Sequence, residues 1–83
     1  MSRRTRLRRR LLEGRSDANI RFDELRALLL RLGFVERVRG SHHIFRKKGV
    51  SERLNLQRDG SNAKPYQVRQ VRQVILKYQL EEE

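Results

Sequence analysis

Cysteine and tryptophan are absent from this 83-residue chain, and it has one proline and one methionine. Without cysteine there is neither a disulfide framework nor a thiolate metal site. Histidine occurs only as the adjacent pair His42-His43. Neighbouring strand residues point to opposite faces, so these two cannot chelate one ion together, and no metal is expected. No phosphate-binding glycine loop, nucleophile elbow or carboxylate pair is found, so no cofactor is expected either. Long apolar runs are also missing, which argues against a membrane span. The basic N-terminus is followed only by Leu11 and Leu12, too little for the apolar region of a secretory signal, and a cytoplasmic location is expected.

Acidic residues are scarce, 10 against 21 Lys and Arg, for a formal net charge of +11. The basic residues are 17 Arg and 4 Lys. That bias matters because the planar guanidinium binds phosphate bidentately and stacks on bases. A polyanionic partner is implied, with nucleic acid the commonest. Charged residues make up 37% of the chain and hydrophobic ones 36%. The apolar residues concentrate at 20–34 and 66–80, which predicts one compact domain with a small core and a charged surface.

Residues 1–15 hold seven Arg and a single acid, Glu13. Leu7, Leu11 and Leu12 would give a helix here a weak apolar stripe, while mutual repulsion equally allows a flexible basic arm. Gly14 to Asn19 reads as a linker, so residues 1–19 form a basic extension and 20–80 the domain. Asp23 is placed to cap a helix carrying Leu25, Leu28, Leu29 and Leu32, with Gly33 as its stop and Ile20 and Phe22 packed at its start. Three strands follow: 34–39, a second from His42 through Phe45, and 53–57. The Gly40-Ser41 and Lys47-Lys48-Gly49 turns join them as antiparallel neighbours. A loop over 58–62 leads to Pro65, which suits the first turn of a closing helix. Val68, Val71, Ile75 and Tyr78 form that helix's inner face, and Glu81-Glu82-Glu83 reads as a frayed acidic end. The order predicts an α+β fold, α-β-β-β-α, with a three-stranded antiparallel sheet, both helices on one face, and a possible extra N-terminal basic helix. The other sheet face stays open to a ligand.

RNA can be cut without a metal if a base activates the ribose 2′-hydroxyl and cations stabilise the phosphorane. A histidine supplies the base. Arg37, Arg39, Arg46, Lys47 and Lys48 lie on the same sheet as candidate RNA-binding residues, and Arg69 and Arg72 lie on the closing helix. Phe45 is expected in the core.

Glu24-Leu25, the leucine-rich helix to Leu32-Gly33-Phe34, the Gly40-Ser41-His42-His43 turn and the closing helix resemble HicA toxins. The resemblance covers roughly residues 20–80. It implies a fold like a double-stranded-RNA-binding domain, an mRNA-cleaving endoribonuclease activity and a HicB-like antitoxin as protein partner. It also implies that His43, the second histidine of the turn, is catalytic, and that Gly40 and Ser41 set the turn geometry. Many members carry a Pro and a second His after the third strand, where this chain has Leu56-Gln57-Arg58-Asp59. His43 is expected to project onto the open sheet face among basic side chains. A module of the same fold that grips RNA without cutting it is the alternative.

Overall fold

The computed structural model describes residues 3–82, with side chains from residue 6. The Arg3 and Arg4 side chains of the basic run, and Glu83 of the acidic end, lie outside the described residues. The elements are α1 (Arg3–Glu13), a 3-10 turn (Asp17–Asn19), α2 (Phe22–Arg31), β1 (Val35–Arg39), β2 (His42–Lys47), β3 (Val50–Leu56), β4 (Arg58–Asp59), β5 (Asn62–Ala63) and α3 (Pro65–Tyr78). The three-stranded antiparallel sheet β1-β2-β3 lies between α2 and α3 in chain order, the topology of a double-stranded-RNA-binding domain with a helix added in front.

Alternation along the strands decides which side is covered. Phe45, Leu54 and Leu56 are fully buried on one face, against Leu25, Leu28 and Leu29 of α2 and Val68, Val71 and Ile75 of α3. Arg37, Arg39, Arg46, Arg53 and Asn55 are exposed on the other, which no helix among the described residues covers. Both helices thus share one sheet face, as expected. The inner face of α3 also takes Val74, with Tyr78 partly buried.

Local chemistry sets the element ends. Gly33 follows α2 at a φ of +96°, and Gly33 and Phe34 donate back to the carbonyls of Leu30 and Leu29, closing the helix with a Schellman motif. Gln79 does the same after α3, at a φ of 51°, with Leu80 donating to Ile75. Gly40, at a φ of +58°, opens the two-residue turn that brings Arg39 opposite His42.

Four expectations change, and the choice left open at the N-terminus between a helix and a flexible arm is resolved. Asp23 does not cap α2, because the helix begins two residues earlier than such a cap would require, with Arg21 at the cap, and places Asp23 in its first turn. The N-terminal run is a helix, since Leu7 and Leu11 are buried in the common core and hold it there. Residues 14–19 are tied down rather than free: Asp17 accepts from Arg72 Nη1 at 2.8 Å. The 58–62 loop is a short β4–β5 hairpin, pinned by Phe22 donating to Ser61 O and Ala63 donating to Ile20 O. The acidic end is also engaged as far as Glu82, which accepts from Arg31 at 3.2 Å beyond a buried Leu80.

Candidate active site

His43 pairs across the sheet with Leu56 and stands two residues before Phe45 on the same strand. Both neighbours are buried, so strand alternation turns the His43 ring toward the helices and not onto the open face. This corrects the expected orientation. His42 occupies the open face, where its Nδ1 meets Asn55 Oδ1 at 3.1 Å.

The group nearest His43 is a carboxylate. Glu36, on β1, is cross-strand partner to Phe45 and therefore diagonal to His43 on the covered face. Its Oε2 lies 2.8 Å from His43 Nδ1. Arg26, one turn into α2, grips the same carboxylate with both prongs, Nε to Oε2 and Nη2 to Oε1, each at 2.7 Å. The Arg26 hydrogen bonds chiefly, and that of His43 in addition, hold Glu36 down at about 2 against the opposing effect of burial. Arg26 is raised correspondingly by the same contact. An ionised carboxylate only accepts, so Nδ1 carries the proton and the neutral ring keeps its lone pair on Nε2. With 18% of its side chain exposed, His43 is shielded but reachable.

Phe22, the first residue of α2, supplies the floor. The His43 ring meets it edge-on at 4.7 Å between centroids, and the Arg58 guanidinium lies over it at 4.2 Å. Arg58 also donates to Asp23 Oδ1 at 2.8 Å. The site thus joins α2, β1, β2 and β4. A family model described as the HicA toxin of bacterial toxin-antitoxin matches residues 22–78, which includes every one of these side chains. The chain belongs to the HicA toxin family. Comparisons with curated proteins and with solved structures give no match.

The other candidate residues of this HicA chain fall into three groups. Arg37, Arg39 and Arg46 line the open face, on the far side of the sheet from His43, and take part in no ion pair among the described residues. Lys47 and Lys48 sit at the β2–β3 turn. Arg69 is exposed on α3, whereas Arg72 is held by Asp17 and by the carbonyl of Leu11, so it braces α1 against α3. Gly40 and Ser41 form the turn beside both histidines, and Ser41 Oγ accepts from Gln57 Nε2 at 3.4 Å. Sequence reasoning missed Glu36, Arg26, Phe22 and Arg58 as site residues. One signal was available: a His two residues from a core Phe on one strand must share its face.

No helix among the described residues is long and apolar enough to cross a membrane.

Proposed function

We propose that this HicA-family chain is a toxin that cleaves mRNA in the cytoplasm as a metal-independent endoribonuclease, with His43 as general base. The observation that carries this reading is the Arg26–Glu36–His43 line, in which a clamped carboxylate fixes the imidazole tautomer. Orientation of this kind is what a general-base histidine requires. Nε2 takes the proton from a ribose 2′-hydroxyl as the 2′-oxygen bonds to phosphorus. The bond from phosphorus to the 5′-oxygen breaks, and the leaving oxygen takes a proton from solvent water, leaving a 2′,3′-cyclic phosphate and a 5′-hydroxyl. Gly40 and Ser41 hold the turn that presents His43. Arg37, Arg39, Arg46, Lys47, Lys48 and Arg69 contact flanking phosphates or the acidic surface of a HicB-like antitoxin. Arg72, already paired, contributes to the fold.

Incubating the purified chain with mRNA in EDTA tests this. The wild type is expected to cut, and His43→Ala to lose on the order of 10²–10⁴ in rate while keeping most of its RNA affinity. Equal cleavage by the variant removes His43 from the mechanism. Absence of cleavage by the wild type leaves a binding module of the same fold.

A further inference from the structure

Base catalysis at His43 creates a charge that the Arg26–Glu36–His43 line does not neutralise. As the 2′-oxygen attacks, negative charge builds on the phosphorane oxygens, and a fixed cation beside them supplies the largest stabilisation. Arg26 is less suited to be that cation, since its Nε and Nη2 are engaged by Glu36, whose charge offsets its own. The arginines of the open face are separated from His43 by the sheet itself. Lys64 Nζ donates to Gln57 Oε1.

We infer that Arg58 is the residue of this site that binds the scissile phosphate and stabilises its transition state, an assignment that rests on the ribonuclease reading above. Arg58 and His43 rest on one ring, that of Phe22, so they are separated by less than the sum of 4.2 and 4.7 Å measured from ring centre to guanidinium carbon and to imidazole centre. A phosphate with one hydrogen bond on either side spans roughly 8 Å, which lies within that upper bound, so one group can reach both residues. The position of Arg58 is fixed by backbone. It stands on the β4–β5 hairpin opposite buried Ala63, and the hairpin is hydrogen-bonded to Ile20 and Phe22. Its present partner is exchangeable: Asp23 is 69% exposed and Arg58 48%, and an ion pair this wet contributes little. Phosphate, with more charge and more acceptors, displaces Asp23 while the stack on Phe22 holds the guanidinium plane.

The test uses the full chain, with each variant's fold checked by circular dichroism. Arg58→Gln is expected to lower kcat for RNA cleavage by on the order of 10²-fold with a much smaller change in KM, and Arg58→Lys to recover part of it. Asp23→Asn, which releases Arg58, is expected to keep kcat at or above the wild-type value. A second readout does not depend on turnover. Uncleavable 2′-O-methyl RNA is titrated while the Arg58 Nε–H and His43 ring signals are followed by NMR, and both are expected to move together. If the wild type does not cut RNA, the ribonuclease reading falls, and this titration alone decides whether Arg58 holds phosphate. Wild-type kcat in Arg58→Gln, a rise in KM alone, or RNA that shifts His43 without touching Arg58 overturns the assignment. So does a loss in Asp23→Asn as large as in Arg58→Gln, which would make the pair a prop for the fold.

Discussion

Glu36 is the lone acid between Glu24 and Glu52, in a stretch that otherwise carries only positive charge. Its position on the helix-covered face of edge strand β1 makes it the link between fold and chemistry. One oxygen, Oε2, receives both Arg26 Nε and His43 Nδ1, so the carboxylate transmits the rigidity of α2 to the imidazole. Glu36→Gln removes the charge that holds Arg26 and weakens the preference for a proton on Nδ1. The expected outcome is a fall in kcat on the order of 10²-fold with KM nearly unchanged. Ring-nitrogen NMR shifts should show the two His43 tautomers mixing. Full activity with an unmixed tautomer would mean that the backbone and Phe22 orient the ring unaided.

Leu7 and Leu11 give α1 a narrow apolar seam, and it suffices because the seam enters the shared core: Leu11 is fully buried. Leu11→Ala is expected to cost about 2–5 kcal/mol, as is Ile75→Ala on the inner face of α3, both read by denaturant unfolding. An unaffected Leu11→Ala would show that α1 rides on the surface. The long periodic elements were legible in the sequence. The leucine helix with its Gly33 stop, the hairpin turned by Gly40-Ser41 and the inner face of α3 all follow from periodicity and turn chemistry. What escaped has a common cause. Strands of two residues, β4 and β5, are too short to alternate, so the hairpin that carries Arg58 left no pattern. Asp23 does not cap, although its type suits a cap, because Phe22, one position earlier, is fully buried at the helix start. His43 stands out by residue type and family likeness, but its direction depends on sharing a face with Phe45, two residues on in the same strand.

A chain of net charge +11, only 34 × 31 × 20 Å in extent, repels itself, and its stability leans on the few carboxylates it has. Glu36 and Glu52 are both held at about 2, Glu52 by the Tyr78 hydroxyl first and Lys77 next, which ties β3 to α3. A carboxylate lowered in the folded state stabilises fully above its ordinary value of 4.5 and loses that contribution as pH falls toward about 2. Thermal melts are therefore expected to hold steady from neutrality to about pH 5 and then fall steeply, more so than in a Glu36→Gln, Glu52→Gln double variant. Parallel acid limbs would remove both groups from the explanation. The same charge governs binding. Deleting α1 would strip Leu7 and Leu11 from the core, so its electrostatic role is better read from exposed Arg6 and Arg9. Changing both to Gln is expected to reduce the slope of log K for RNA against log salt by up to about 2, with sequence preference unchanged. An unaltered slope would place α1 away from the RNA backbone.

The adjacent histidines also make the molecule self-reporting. Because His42 and His43 look out of opposite sides of a sheet one chain thick, the same dipeptide carries one probe for each side. A partner laid on the arginine face would hide His42 from a histidine-modifying reagent and leave His43 as reactive as before. A ligand seated over Phe22 would do the reverse. One that wraps the Gly40-Ser41 turn would silence both. Two neighbouring signals in a single spectrum thus distinguish a ligand on the arginine face from one seated at the covered face, and either from one that covers the whole end of the sheet.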